Sequence, residues 1–101
     1  MGKLVRDKIP EIILNSGKKP VYYMLPDNEY PSALDIKLNE EVAEYQADKS
    51  IEELVDILEV VISICEARGY SMSELFKLRE AKLAERGGFK NKFFWLGNQD
   101  E

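Results

Sequence analysis

The apolar run from Leu54 to Cys65 constrains the fold of this chain more than any other feature. Within LVDILEVVISIC, apolar side chains occupy most of the circumference of a helix and not a single stripe. Such a helix must be covered on several sides, and the three other helices predicted for a chain of 101 residues are short. The sequence therefore predicts an antiparallel helical bundle that further copies of the chain complete, as a homodimer or a homotetramer.

Two helices are predicted ahead of this run. The first is short, since Asp7 is placed to cap its start, Pro10 falls in its first turn and Gly17 ends it. The second spans about residues 29 to 48, where apolar residues recur at helical spacing. The recurring apolar positions are Leu34, Leu38, Val42 and Tyr45.

Capping signals mark the starts of the two remaining helices. The third helix contains the apolar run, and the fourth helix follows it. Ser50 and Ser71 each precede a glutamate by three residues, which is the spacing of a capping box. Gly69 ends the third helix and Gly87 ends the fourth. The chain is therefore expected to be all-α, with four helices.

Two segments outside the helices are rich in β-branched and aromatic residues. Residues 21–25 (VYYML) are predicted as a short strand, and residues 92–96 (KFFWL) as a short strand or an arm. Their aromatic side chains have two interpretations. They could stack on a nucleobase, or the two strands could pair and bury one aromatic row against the bundle.

Composition excludes several classes of function. A net charge of -5 offers no broad basic surface for nucleic acid. With one cysteine, Cys65, and no histidine, the chain cannot form an internal disulfide, a Cys/His zinc site or a histidine-based catalytic site. No segment is apolar and long enough for a signal peptide or a membrane span. We expect a single domain over residues 1–101 in the reducing cytoplasm, without a membrane partner.

Acidic residues on the second and third helices recur at spacings that place them on shared faces. At about 100° per residue, Glu41 falls inside the apolar stripe of the second helix, and Glu44 lies one turn on. Glu53 and Asp56 are three residues apart on the third helix. Antiparallel helices would aim both pairs at one point, where a divalent cation would relieve their repulsion. Oxygen ligands alone favour Mg²⁺, with Mn²⁺ as the alternative.

A simpler interpretation explains each acid singly. Glu53 would complete its capping box, Glu40 would pair with Lys37, and the other acids would face solvent. Glu41 fits this interpretation poorly, because its position in the pattern buries it. Two acidic pairs on adjacent helices favour the metal site.

Three cations fall on one face of the fourth helix. Arginine offers paired donors to phosphoryl oxygens and lysine a compact charge, so this face could hold a polyphosphate. The alternative is a solvated basic face that pairs with Glu80 and Glu85. The three cations are Arg79, Lys82 and Arg86.

These residues together resemble the MazG-like, all-α nucleoside triphosphate pyrophosphohydrolases. The superfamily pattern EExxE followed by ExxD reads here as EEVAE at residues 40–44 and ELVD at residues 53–56. The segments KLVRDKIPEII, KLNEE and KLAERGGF look like a subgroup often labelled phosphoribosyl-ATP pyrophosphohydrolase-like or house-cleaning nucleotide pyrophosphatases. The resemblance covers nearly the whole chain, although the spacer between the half-motifs, residues 45–52, is shorter than is usual in the superfamily.

The resemblance implies hydrolysis between the α and β phosphates of a nucleoside triphosphate, with a non-canonical nucleotide as the expected substrate. It places the Mg²⁺ ligands on Glu41, Glu44, Glu53 and Asp56. It also makes Glu40 a catalytic carboxylate that orients water, and Glu41 a further catalytic residue. The cations expected to hold the departing pyrophosphate are Lys37, Arg79, Lys82 and Arg86.

Two other functions stay open at this point. The subgroup's label suggests phosphoribosyl-ATP hydrolysis, but a fold does not fix a substrate. A non-catalytic helical interaction module is the alternative from a different class. Neither reading gives a chemical role to Arg6, Asp7 or Lys8 beyond the predicted cap.

Overall fold

A computed structural model of the chain describes residues 2–99 and contains four helices. They are α1 (Ile9–Asn15), α2 (Tyr30–Asp48), α3 (Ile51–Ala67) and α4 (Met72–Arg86). The all-α class and the four predicted helices are confirmed, and α2 ends at the residue that the sequence predicts. None of these helices is both long and apolar enough to span a membrane.

The prediction of two short strands was wrong. Residues 21–25 and 92–96 form no strand in the described part of the chain, and their side chains are mostly exposed. Val21, for example, is fully exposed, and Phe93 is 91% exposed. A segment rich in β-branched and aromatic residues forms a stable strand only where it has a pairing partner and a face to bury. These two segments have neither within the described part of the chain.

The two predicted capping boxes have different outcomes. Before α4, the backbone N–H of Glu74 donates to Ser71 Oγ at 3.1 Å, and the Ser71 hydroxyl donates to a Glu74 carboxylate oxygen at 3.2 Å. Before α3, the Ser50 hydroxyl donates instead to Asp48 at 3.0 Å, and no side chain caps the helix. The Ser50 capping box was therefore a wrong prediction, and Glu53 is free of that role.

Replacing Ser71 with alanine is expected to destabilise α4 by about 1 kcal/mol, because a backbone N–H at the helix start loses its acceptor. Hydrogen exchange of the α4 amides measures this local effect. Ser50→Ala is the matched control and should leave α3 unchanged. Equal losses of protection in the two variants would contradict the difference between the two caps.

The start of α1 also differs from the prediction. Lys8 and not Asp7 occupies the N-cap position, and it makes no side-chain capping hydrogen bond. Pro10 does lie in the first turn, where a missing N–H costs nothing. Asp7 is thus not a cap, and α1 is only 7 residues long.

The α2–α3 pair forms the centre of the fold. Only Lys49 and Ser50 separate the two helices, and Lys49 adopts the left-handed conformation (φ 59°) that reverses the chain direction. The helices therefore run back along each other and make most of the helix–helix contacts. Leu34 on α2 and Val60 on α3 are buried between them, together with the carboxylate residue Glu41.

The described chain leaves much of its apolar surface uncovered. Its radius of gyration is 18.4 Å, whereas a compact domain of this length has about 13 Å. Its longest dimension is 67 Å, and α4 packs on α3 far less than α2 does. The chain by itself therefore buries a small core around the α2–α3 pair.

Candidate metal centre

Three carboxylates from α2 and α3 converge beside the small core. One oxygen each from Glu41, Glu53 and Asp56 lies within 4.8 Å of the other two. Glu41 is only 6% exposed, while Glu53 and Asp56 are half-buried. The antiparallel pairing brings these acids together because Glu41 lies within the apolar stripe of α2, and the α3 acids lie on the face that packs against it.

Two oxygens of this cluster have no hydrogen-bond donor. Glu41 Oε2 and Glu53 Oε2 are both buried, and neither accepts a hydrogen bond from the described residues. Leaving a buried carboxylate oxygen unsatisfied is costly, so such atoms in a folded protein call for a partner. An all-oxygen set of this kind suits Mg²⁺ or Mn²⁺, and the residues present therefore fit the predicted cation.

Glu44 lies at the edge of the cluster. Its side chain is exposed, and it does not belong to the group of three converging oxygens. It is nevertheless close enough to act on Glu53: burial raises the pKa of Glu53, and the negative charges of Glu44 and Asp56 raise this pKa further. Of the four predicted ligands, the structure brings three together and places the fourth beside them.

The raised pKa of Glu53 predicts a pH dependence with a definite sign. In the window between the ordinary glutamate pKa and the raised pKa, the folded chain holds this proton more tightly than the unfolded chain. Lowering the pH through that window therefore raises the contribution of Glu53 to the free energy of unfolding, and raising the pH again removes this contribution.

A bound cation competes with the proton, so Mg²⁺ should lower the pKa of Glu53. A ¹³C NMR titration of this carboxyl measures the shift, and an identical midpoint with and without Mg²⁺ would argue against a cation there.

Lys37 lies between two acids of α2. Its Nζ is 3.2 Å from Glu41 Oε1 and 3.3 Å from Glu40 Oε1, and its side chain is only 15% exposed. Burial by itself lowers the pKa of Lys37, but the hydrogen bonds and charges of Glu41 and Glu40 outweigh it and raise this pKa. Lys37 thus lies next to the cluster as a charged group. Glu40 pairs with Lys37, as the simpler interpretation predicted, and lies outside the three converging oxygens.

Arg6 is the residue of this site to which sequence reasoning gave no role. Its Nη2 donates to Asp56 Oδ1 at 2.7 Å, and Lys3 lies 3.6 Å from a Glu40 oxygen. The N-terminal segment, residues 3–9, therefore crosses the acidic face of the α2–α3 pair. The sequence held two signals for it. One was the local cluster of basic residues in KLVRDK, in a chain that is acidic overall, and the other was the place of KLVRDKIPEII among the segments that carry the resemblance.

This segment and the helix pair enclose a cleft of about 630 Å³. Leu34 and Val60 give the cleft apolar surface, and Glu41 and Asp56 are among its polar groups. Its volume is in the range of small-molecule sites. About half of its lining residues are charged, with both acids and bases among them. The aromatic residue in its lining is Tyr30; the aromatic residues of 21–25 and 92–96 do not contribute.

The α4 cations are not brought to this site within the chain. Arg79, Lys82 and Arg86 are exposed, and none of them lines the cleft. None takes part in an ion pair within residues 2–99, so the alternative pairing with Glu80 and Glu85 is not formed either. The cations that do reach the acidic cluster come from α2 and from the N-terminal segment.

Comparison with known proteins adds one relative. A curated protein of Mycolicibacterium smegmatis (strain ATCC 700084 / mc(2)155), described as an uncharacterized protein, is 60% identical over 47 residues. The match covers 46% of this chain and 48% of the relative, so it spans about half the length of each. No family model matches the chain. No solved structure matches it either.

Proposed function

We propose that this chain is a Mg²⁺-dependent nucleoside triphosphate pyrophosphohydrolase with a MazG-like arrangement of helices. The observation that carries the proposal is the convergence of Glu41, Glu53 and Asp56, with two buried carboxylate oxygens that lack a donor. A structural salt-bridge network would pair these oxygens, whereas a cation site leaves them available.

The electrostatics of the cluster support a cation. Burial and the negative charges of Glu44 and Asp56 raise the pKa of Glu53, and neither Glu44 nor Glu53 forms an ion pair within the described residues. A divalent ion would relieve this repulsion.

Each residue then has a distinct task in the proposed hydrolysis. Glu41, Glu53 and Asp56 would hold the ion, and Glu44 would complete the set from its edge. A bound Mg²⁺ would supply Lewis acidity toward the phosphate oxygens. Glu40, held by Lys37, would orient the water that cleaves the bond between the α and β phosphates, and nucleoside monophosphate and pyrophosphate would leave.

The cleft geometry adds Arg6 to the proposed phosphate-binding groups. A guanidinium can leave a single carboxylate for the oxygens of a polyphosphate, which offer it paired acceptors. Lys37 lies in the same cleft. The α4 cations Lys82 and Arg86 keep their proposed role with the pyrophosphate, together with Arg79, although no contact within one chain supports it.

Replacing Arg6 with glutamine is expected to lower kcat/KM for the substrate by roughly 10-fold or more, because the developing charge on the leaving group loses a donor. Steady-state kinetics measures the change. Arg68→Gln is the matched control, since Arg68 pairs with Asp35 at 3.1 Å on the exposed surface and away from the cleft. Unchanged kinetics of the Arg6 variant would remove Arg6 from the proposed site.

The double variant Lys82→Ala with Arg86→Ala tests the two α4 cations in the same assay. Unchanged turnover would remove these two cations from the proposed mechanism.

A substrate panel tests the function itself. Canonical and modified nucleoside triphosphates and phosphoribosyl-ATP are assayed for pyrophosphate release with Mg²⁺ and with a chelator. We expect release from at least one triphosphate that stops on chelation; preference for phosphoribosyl-ATP would establish the alternative substrate. No release from any compound would favour the helical interaction module, for which the large exposed apolar surface is the supporting observation.

The same exposed surface supports the proposed self-association into a homodimer or homotetramer. A chain of this size that buries so few side chains is expected to gain its remaining core from other copies.

A further inference from the structure

One face of α3 carries an uncovered apolar stripe. Ile51, Leu54, Val55 and Leu58 follow the i, i+3, i+4, i+7 spacing of a single helix face, and each is about half exposed or more. At about 100° per residue, this face lies opposite the one that carries Asp56 and Val60. The stripe is therefore separate from the acidic cluster and is left uncovered by α2.

The second uncovered surface is the C-terminal arm, residues 89–96. Its five large apolar side chains are between 78% and 97% exposed, so its own chain gives them almost no cover. The arm follows α4, a helix that packs only sparsely on α3. These side chains are Phe89, Phe93, Phe94, Trp95 and Leu96.

We propose that the C-terminal arm of one copy packs on the α3 stripe of a second copy, and that the second arm packs reciprocally on the first. A two-fold exchange of this kind uses the same two surfaces on both copies and closes on itself. The inference concerns assembly and is independent of the proposed hydrolysis.

The area available is sufficient for a stable dimer. An aromatic side chain buries about 150–250 Å², so the four aromatic residues of one arm would bury roughly 600–1,000 Å². Two arms would then bury roughly 1,200–2,000 Å², which is the range of stable protein–protein interfaces.

Charge favours the arm over a second α3 stripe as the occupant. The exposed acids Glu52 and Glu59 border the stripe on one side of α3. Two stripes packed face to face would place acids from both copies in one interface, which like charges disfavour. The arm instead carries Lys90 and Lys92 and no acid within residues 89–96. Packing of the arm on the stripe therefore covers both apolar surfaces and pairs opposite charges.

Sedimentation velocity of the full chain, without metal or nucleotide, tests the exchange. We expect a dimer for the native sequence, and a dissociation constant at least roughly 100-fold higher for the arm variant Phe93→Ser with Trp95→Ser. The stripe variant Leu54→Ser with Leu58→Ser should weaken the dimer equally. Tyr22→Ser with Tyr23→Ser is the matched control, because it removes exposed aromatic residues from another segment. Circular dichroism checks that every variant keeps its helices.

Mixing the two weakened variants identifies the contact. An arm variant with an intact stripe and a stripe variant with an intact arm keep one of the two proposed contacts, so the mixture should form heterodimers that neither variant forms alone. Heterodimer formation supports the exchange. A monomeric native chain at about 100 μM, an arm variant that dimerises like the native chain, or a mixture that stays monomeric would each overturn it.

Discussion

Glu41→Gln is expected to lower Mg²⁺ affinity and pyrophosphate release by at least about 100-fold. The substitution keeps the shape of the side chain and removes the one fully buried charge of the cluster, which is also the only contribution of α2 to the three converging oxygens. Calorimetric titration with Mg²⁺ and initial rates of pyrophosphate release measure the two effects. Glu53→Gln and Asp56→Asn should cause losses of similar size.

Glu52→Gln provides the control for this series. Glu52 is an exposed acid on the same turn of α3 as Glu53, and it lies outside the cluster. The Glu52→Gln substitution changes the net charge by the same amount as Glu41→Gln. It should leave Mg²⁺ affinity and pyrophosphate release within about 2-fold of the native protein. If Glu52→Gln and Glu41→Gln weakened Mg²⁺ binding equally, the acids would act as a diffuse surface charge and not as a site.

Lys37→Met should lower the free energy of unfolding by about 3 kcal/mol in the absence of Mg²⁺. The substitution keeps the aliphatic stem but leaves the carboxylate of Glu41, a residue that is only 6% exposed, without its cation at 3.2 Å. Urea denaturation measures the loss. Saturating Mg²⁺ should restore part of the stability, because the ion binds the folded chain and not the unfolded chain.

Arg68→Met is the corresponding control on the surface. It breaks the pair with Asp35 at 3.1 Å, in which both side chains are about half exposed, and such pairs contribute less than about 1 kcal/mol. Equal losses in the two variants would show that the Lys37 pair is no more sheltered from water than the Arg68 pair. A Lys37 variant that Mg²⁺ failed to stabilise would separate the lysine from the metal site.

Local patterns were sufficient to predict the helices. Apolar periodicity located α2 and α3, and the serine–glutamate signal located the start of α4, because helix formation depends on neighbours a few residues away. The same signal failed at Ser50, where Asp48 lies close enough to accept the hydrogen bond of the Ser50 hydroxyl. Sequence spacing alone does not show such competition between acceptors.

Contacts between distant segments were predicted only where the antiparallel pairing of two helices implies them. The placement of Glu41 in an apolar stripe predicted its burial correctly, and the convergence with Glu53 and Asp56 followed from antiparallel pairing. The pairing of Arg6 with Asp56 joins residues 50 positions apart, and no periodicity encodes it. For the same reason, the α4 cations were grouped with the site although the chain does not bring them there.

The strand predictions failed for a related reason. Residues 21–25 and 92–96 have the composition of strands, but whether they pair depends on a partner that the sequence of one chain does not specify. Their exposed apolar side chains are available for contacts with other molecules.

Crystals soaked in Mn²⁺ and measured for anomalous scattering test the metal centre most directly. We predict one peak within coordination distance of carboxylate oxygens from Glu41, Glu53 and Asp56, with Arg6 displaced from Asp56. No peak at this position under saturating Mn²⁺, with Arg6 still paired to Asp56, would contradict the metal site and the hydrolase proposed from it.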